Sequence, residues 1–315
     1  MKNKKIIFLL IFAALTSVLY SQTNTTYNFL KLDVDARSSA MAGSFITAEN
    51  DVNILFYNPS GIATLEKSQV SAGFFKYLLD INSGNAAYAM KYKNIGYFSA
   101  GIRYVNYGSF DKYDENFNNV GTFSANDLAF SVGYANEYEG KLFYGANAKF
   151  IYSNIDEFTS TGLALDLGLM YKIAEYDASL GISLLNLGTQ MSSYLDSKEN
   201  LPLELRFGGS KKLEYLPLLF NFSFNNLVED TEDFIDRFKN FSLGGEFILS
   251  DYINLRLGYN NQQRQNLKTG SSIGIGGFSA GIGFRYEDKY FIDYGFNSMG
   301  NIGATHRINL KYVLE

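Results

Sequence analysis

Apolar residues alternate with small, polar or charged residues over most of the chain. In the segment INLRLGY, Ile253, Leu255 and Leu257 fall on one face of an extended strand, and Asn254 and Arg256 fall on the other. The same period of two recurs almost to the C-terminus, and glycine, asparagine or charged residues interrupt every apolar run after the first 22 residues. The pattern predicts β-strands with one apolar and one polar face.

The alternation predicts about fourteen antiparallel strands. They lie near residues 68–79, 84–93, 94–108, 123–138, 140–155, 158–173, 176–188, 201–212, 216–228, 239–249, 252–262, 275–287, 288–299 and 305–314. Outer-membrane barrels have an even number of strands, face lipid with the apolar side and enclose the polar one. A soluble β-sandwich, secreted as an adhesin, is the alternative that also buries one face.

The connections between the predicted strands favour the barrel. Every second connection is a tight turn, whereas the long loops begin at Ser109, Thr189, Glu229 and Gln263. Sorting short turns to one end and long loops to the other is typical of outer-membrane barrels, whose short turns face the periplasm. We therefore expect an all-β, about 14-stranded antiparallel transmembrane barrel with its N-terminus on the short-turn, periplasmic side.

The first residues carry the pattern of a secretory signal peptide. Lys2, Lys4 and Lys5 precede an apolar stretch from Ile6 to Leu15, and small and polar residues follow it. We expect residues 1–21 to be a signal peptide cleaved before Gln22, residues 22–67 to form an N-terminal segment, and residues 68–315 to form the barrel. The predicted location is the bacterial outer membrane.

Composition excludes several function classes. Without the three signal lysines the chain has 24 basic and 32 acidic residues, a net charge of −8, so no basic face is available for nucleic acid. There is no cysteine, which excludes disulfides, thiolate metal sites and a cysteine nucleophile. His306 is the single histidine, so a Ser/His/Asp triad or a histidine metal site cannot be assembled. We predict a non-enzymatic protein without cofactor or metal.

The segment 22–67 does not alternate and is too long for a simple leader. Asn50 or Asp51 is placed to cap a short helix from Val52 to Tyr57. Pro59 prevents that helix from continuing, and the residue before a proline is pushed out of the helical region. These features predict a separate N-terminal segment with a short capped helix.

The N-terminal segment, residues 22–67, resembles the N-terminal signature of the PorV/PorQ family. The matching residues are Phe29-Leu30, Asp35-Ala36-Arg37, Met41-Ala42-Gly43, Phe45, Asn50-Asp51 and Asn58-Pro59-Ser60-Gly61. Members of this family are relatives of the fourteen-stranded fatty-acid-transporter barrels, which carry an N-terminal hatch. The resemblance therefore implies that residues 22–67 form a small hatch, or plug, inside or under the barrel. The stretch from Tyr107 to Ser153 looks closer to the PorQ side, and Asn-Pro-Ser stands where Asn-Pro-Ala is commoner.

The resemblance implies a docking or shuttle role in type IX protein secretion and cell-surface attachment, with secretion-system proteins and outer-membrane lipid as partners. The transporter relatives imply instead a channel for small apolar molecules. A fold does not decide between such roles, so both hypotheses stay open.

The inward face of the predicted barrel carries charged side chains that either pair with one another and grip the hatch or line a hydrated lumen. The candidates on the wall are Arg103, Lys149, Asp166, Glu204, Arg206, Glu246, Arg256, Arg285, Asp293, Arg307 and Lys311. The candidates on the hatch, with a structural or gating role, are Arg37, Asp51, Asn58, Pro59, Ser60 and Gly61.

The loop VEDTEDFIDRF offers two further interpretations. Its carboxylates suggest calcium, but the loop lacks the glycine and the ligand spacing of a known calcium loop, which favours a solvated outer loop. Phe234, Ile235 and Phe238 within it are apolar residues on an exposed loop, a pattern that can mark a partner surface.

Overall fold

The structure, a computed structural model, describes residues 25–229, 231, 233–268 and 274–314. The predicted signal peptide, Asp230, Glu232 and Glu315 lie outside these residues. The strands are β1 (Gln69–Lys76), β2 (Asn82–Tyr92), β3 (Gly96–Tyr113), β4 (Asn119–Tyr138), β5 (Leu142–Ile155), β6 (Phe158–Ile173), β7 (Ala178–Ser192), β8 (Glu204–Lys212), β9 (Leu218–Phe224), β10 (Phe241–Ile248), β11 (Ile253–Asn260), β12 (Phe278–Tyr286), β13 (Tyr290–Ser298) and β14 (Ala304–Val313).

The fourteen strands pair in sequence order, all antiparallel, and β1 closes the barrel on β14. Every predicted strand overlaps an observed one, so the predicted fold class is confirmed. Short turns follow the even strands from β2 to β12, whereas the longest connections, those after β7, β9 and β11, lie at the opposite end. We call these the short-turn end and the long-loop end.

The two faces of the wall differ as the alternation predicts. On β6, Leu163, Leu165 and Leu167 point outward and are 44 to 49% exposed, whereas Ala164 and Asp166 between them are buried against the lumen. An uncovered band of leucine, isoleucine, phenylalanine and tyrosine side chains surrounds the barrel on many strands. Such a surface suits contact with lipid hydrocarbon, because the polar atoms are turned inward.

The wall is taller on one side. Strands β3 to β7 have 14 to 20 residues, whereas β8 to β14 have 7 to 10. Strand β2 begins at Asn82, opposite Asn106, whereas β3 runs on to Tyr113 in a hairpin with β4. The β3–β4 hairpin therefore rises above its neighbours at the long-loop end.

The hatch, residues 25–67, fills the interior of the barrel with short helices. Its helices are Asn28–Lys31, Ala36–Ala40, Val52–Phe56 and Pro59–Thr64, and further short helices lie at Ala174–Tyr176, Phe234–Lys239, Asn261–Asn266 and Gly300–Ile302 in the loops. Among the described residues, no helix is both long and apolar enough to cross a membrane. Met41, Phe45, Ile54 and Leu55 form the centre of a core that the hatch shares with the wall.

The first described residues of the hatch lie at the long-loop end, contrary to the prediction of a periplasmic N-terminus. Thr25 forms a parallel bridge with Asn200, in the long connection between β7 and β8. The hatch reaches the short-turn end where Glu49 pairs with Lys172 of β6, near the start of β1, so it runs through the barrel from one end to the other. Strand alternation fixes the direction of β1 but says nothing about a segment that precedes it.

Glycines on the inner wall let the hatch approach the strands closely. A Cβ atom on Gly168 would lie 2.0 Å from Oδ1 of Asn58, and one on Gly145 would lie 2.6 Å from the carbonyl oxygen of Pro59. Gly281, in the segment GIGGFSAGIGF, acts in the same way, since a Cβ on it would lie 2.4 Å from Cβ of Ala40. The hatch is thus seated directly against the backbone of the wall.

Candidate functional site: the hatch and the outer cavity

The Asn58-Pro59-Ser60-Gly61 motif joins two helices of the hatch to each other and to the wall. Asn58 is extended, with φ −155° and ψ 102°, and Oδ1 accepts hydrogen bonds from the backbone N–H of Ser60 (3.2 Å) and from its hydroxyl (2.6 Å). The Asn58 amide donates to the carbonyl oxygens of Ile46 (2.9 Å) and Leu169 (3.2 Å) on β6. The motif is fully buried, and because it connects the helices Val52–Phe56 and Pro59–Thr64 we call it the joint of the hatch.

A line of six alternating charges runs from β14 through the hatch to β13, and we call it the charge chain. Its members, in spatial order, are Lys311, Asp51, Arg37, Glu246, Arg256 and Asp293. The N···O distances between successive members are 3.0, 3.0, 2.6, 2.8 and 2.5 Å. Three positive and three negative groups sum to zero, which is the arrangement that makes buried charges tolerable.

The pKa values of two hatch carboxylates, Asp51 in the charge chain and Asp35 close to it, shift in opposite directions. Burial alone would raise the pKa of Asp51, but Lys311 and Arg37 hold that pKa well below its usual range. Burial and the neighbouring negative charge of Asp51 raise the pKa of Asp35 to about 7. Oδ1 of Asp35 accepts from the backbone N–H groups of Arg37 and Ser38, whereas Oδ2 is buried without a hydrogen-bond partner. The helix cap favours the carboxylate, but the burial of Oδ2 and the charge of Asp51 outweigh the cap and favour the neutral acid.

Three predicted wall arginines contact the hatch, two by hydrogen bonds and one by lying over an aromatic ring. Arg103 donates to the carbonyl oxygens of Phe29 and Leu30, at 3.1 and 2.7 Å. Arg206 pairs with Glu204 at 2.8 Å and lies over the ring of Tyr57.

Arg307 donates to Ser39 on the hatch and lies 3.6 Å from the ring centroid of Phe75. Lys149 pairs with Asp166 at 3.0 Å, and both bond to Asn186, which sits in a β-bulge of β7. These side chains fasten the hatch and the wall rather than leaving an open aqueous lumen.

Arg285 is the wall candidate that the structure places elsewhere. Its side chain is 37% exposed, and it bonds to the carbonyl oxygen of Asp251 (2.7 Å) and pairs with Asp288 (3.4 Å) in the turns of the short-turn end. The prediction that Arg285 lines the lumen is wrong. Alternation gave its face correctly but does not give its depth along the strand.

A cavity of about 600 Å³ opens at the long-loop end, between the tall β3–β4 hairpin and the first residues of the hatch. We call it the outer cavity. Five aromatic side chains line it: Tyr27, Tyr107, Phe110, Phe123 and Tyr194. Asp127 and Glu199 are its charged residues, and none of the described residues that line it is basic. A concave, mostly aromatic site with a few polar groups is typical of small-molecule binding.

Part of the aromatic lining of the outer cavity depends on a β-bulge that alternation did not predict. The β3–β4 register shifts between Asn106 and Ser109, where Gly108 has φ +86°. Beyond the bulge the two faces of β3 are exchanged, so Phe110 pairs with Phe123 and faces the cavity. Tyr107, which alternation already places on the inward face with Val105, donates its hydroxyl to Oδ2 of Asp127 at 2.6 Å. The hydroxyl of Ser153 donates to the other carboxylate oxygen. The glycine in NYGSF was the sequence signal for this bulge.

A second cavity of about 400 Å³ lies on the other side of the hatch at the same end. Lys31, Asp33 and Arg307 line it together with amide side chains of β11 and the following helix. It is polar where the outer cavity is aromatic. The two cavities therefore offer different chemistry on either side of one hatch segment.

The proposed partner residues of the β9–β10 loop lie on a short helix, Phe234–Lys239, which we call the loop helix. Phe234 and Ile235 are 69 and 73% exposed, and Phe238 packs on Phe224 of the outer wall. In the described part of the loop, Asp236 pairs with Lys239. No group of three or more potential metal ligands occurs among the residues that the structure describes.

Comparisons with known proteins identify the fold. No protein-family model and no curated protein matches the chain. Similar solved structures include the toluene transporter TbuX of Ralstonia pickettii, with a TM-score of 0.59, 13% identity, and 89% of this chain and 98% of that chain covered. Others are the toluene transporter TodX of Pseudomonas putida (0.58, 12%, 92% and 98%) and a FadL homologue of Pseudomonas aeruginosa (0.56, 10%, 90% and 98%). The fold is that of FadL-like outer-membrane barrels.

Proposed function

We propose that this protein is an outer-membrane channel that admits small, neutral, apolar molecules from the long-loop side. The outer cavity carries this proposal, because five aromatic rings line it beside the hatch at the long-loop end and none of its described lining residues is basic. The apolar band on the outside of the wall supports placement in a membrane. Two of the structures with this fold are toluene transporters, which is consistent with the proposal.

The charges of the outer cavity favour a neutral ligand. A bound carboxylate would lie near Asp127 and Glu199 without a compensating cation, and like charges at close range in a partly desolvated site oppose binding. An uncharged aromatic ring instead gains contact with Tyr27, Phe110 and Phe123. The tyrosine hydroxyls supply hydrogen bonds to a single polar substituent.

Passage beyond the cavity requires movement of the hatch. The hatch fills the barrel interior, and most of its residues from 34 to 65 are buried. The outer cavity is therefore the entry site in this proposal, and the hatch, held by the charge chain, is the gate.

Matched naphthalene ligands test the binding step. The chain has no tryptophan, so naphthalene fluorescence excited beyond the tyrosine band reports binding directly. We expect purified protein to bind neutral 1-naphthol about tenfold or more tightly than anionic 1-naphthoate, which corresponds to about 1.4 kcal/mol. Ala125→Phe, which fills the inward face of β4 at the cavity, should abolish naphthol binding. Equal affinity for the two ligands, or binding unaffected by Ala125→Phe, contradicts the proposal.

Reconstituted liposomes test the passage step. Uptake of 1-naphthol should exceed that of protein-free liposomes and should fall with Ala125→Phe. Binding without enhanced uptake would show that the cavity is a binding site but that the protein is no channel.

Docking in type IX secretion is the second candidate. The sequence of the hatch supports it through its resemblance to the PorV/PorQ family, and the charge chain supports it because six paired charges hold the hatch in place. Affinity purification of the tagged protein from native membranes should then recover secretion or surface-attachment proteins. Recovery of the protein without partners, together with selective naphthol uptake, would favour the channel.

A further inference from the structure

A ladder of phenylalanine rings runs up the outside of the barrel and onto the loop helix. The ring centroids of Phe207 and Phe222 are 6.4 Å apart, and those of Phe222 and Phe224 are 6.3 Å apart. Phe224 then contacts Phe238 at 5.5 Å, and Phe238 contacts Phe234 at 5.6 Å. The first three rings belong to the outward face of β8 and β9, and the last two belong to the loop helix. The apolar surface of the wall thus continues without a break onto this loop.

We propose that the loop helix is an interfacial anchor that lies in the outer leaflet, with lipid rather than a protein as its partner. Its apolar residues continue the outward face of the wall, and Phe234 and Ile235 stay 69 and 73% exposed among the residues that the structure describes. A short amphipathic helix with aromatic residues on one side is suited to the boundary between headgroups and acyl chains.

The charged residues of the loop helix fit the same placement. The guanidinium of Arg237 lies over the ring of Phe234 at 5.6 Å, and Lys239 pairs with Asp236 at 2.6 Å. Long basic side chains at a membrane interface keep an apolar stem near the acyl chains and a charged head near the headgroups. The anchor rests on the membrane placement proposed above but does not depend on transport.

Single tryptophans provide the test, because the natural chain has none. Phe234→Trp reports on the loop helix. Ile308→Trp, in the middle of β14 and 52% exposed on the outward face, reports on the wall. Phe117→Trp, at the tip of the β3–β4 hairpin and 88% exposed, is the matched control outside the membrane. Each variant is reconstituted into liposomes containing lipids brominated at shallow or deep acyl positions, and a fold check against the natural protein precedes the measurement.

For Phe234→Trp we expect emission shifted to the blue of Phe117→Trp and quenching by shallow bromines about threefold stronger. Ile308→Trp should be quenched most by deep bromines, and Phe117→Trp by aqueous iodide. Iodide quenching of Phe234→Trp without bromolipid quenching would overturn the anchor and point to a protein partner. Failure of lipid quenching for Ile308→Trp would instead overturn the membrane placement itself.

Discussion

The ammonium Nζ of Lys311 lies 3.0 Å from Oδ2 of Asp51, across 260 residues of sequence. This contact fastens the last strand of the barrel to the hatch, and Arg37 binds the same oxygen from the other side at 3.0 Å. Each charge in the chain is compensated by its neighbours. Removing one member therefore leaves a buried charge without a partner, which costs far more than the pair itself contributes.

Arg37→Met should destabilise the protein strongly. Methionine fills much of the volume but leaves the carboxylates of Asp51 and Glu246 short of a positive charge, and breaking such a buried pair costs about 3–5 kcal/mol. Chemical unfolding in detergent measures the loss. Lys112→Met is the matched control, because Lys112 pairs with Asp156 on the surface and its loss should change stability little. Equal effects of the two substitutions would show that the charge chain has no special role.

Asp35→Asn should change how stability depends on pH. Because the folded protein holds the Asp35 proton up to about pH 7 while an unfolded aspartate releases it near pH 4, the natural protein loses stability as pH rises through this interval. The variant has no such proton, and its side-chain oxygen can still cap the helix. The stability difference should move in favour of Asp35→Asn by on the order of 4 kcal/mol at most between about pH 4 and 7. Melting temperatures of the two proteins that differ by the same amount at every pH from about 4 to 7 would contradict the raised pKa of Asp35.

Gly168→Ala should disturb the joint of the hatch. The new Cβ would lie 2.0 Å from Oδ1 of Asn58 and 2.9 Å from Cδ of Pro59, so either the hatch or β6 must shift. Overpacking of this kind costs about 1–3 kcal/mol. Gly84→Ala is the matched control in β2, because the nearest atom to its Cβ would be the carbonyl oxygen of Gly73 at 3.6 Å. Thermal melting should separate the two variants, and equal melting temperatures would show that the joint tolerates extra volume.

The wall of this barrel was predictable from sequence because strand periodicity is a local property. Leu255 and Arg256 point to opposite faces in any register, and each tight turn fixes the direction of the next strand. The helix from Val52 was predictable for a similar reason. Asp51 caps it and Pro59 begins the next helix, both through contacts within a few residues.

The position of the hatch and the partners of its charges could not be obtained in this way. Arg37 and Glu246 are separated by 209 residues, and no local pattern states which carboxylate an arginine meets across a barrel. The predicted position of Arg285 was wrong for a related reason, since a period of two gives the face of a strand but not the position along the barrel axis. The outer cavity was missed because its lining depends in part on the bulge at Gly108, which turns Phe110 inward against the alternation.

A disulfide between hatch and wall should decide whether the hatch moves. The hydroxyl of Ser71 on β1 donates to Oδ1 of Asn53 at 2.9 Å, so their side chains already touch. Because the chain has no cysteine, Asn53→Cys/Ser71→Cys would hold the single disulfide of the molecule. In the channel that we propose, oxidation should abolish 1-naphthol uptake into liposomes, and a reductant should restore it. Binding at the outer cavity should persist in both states, because the pair lies near the opposite end of the barrel.

The two single-cysteine variants control for the substitutions themselves. Uptake that continues in the fully oxidised protein would show that molecules pass without movement of this part of the hatch, and capture of secretion partners unaffected by oxidation would then favour a docking role with a permanent plug.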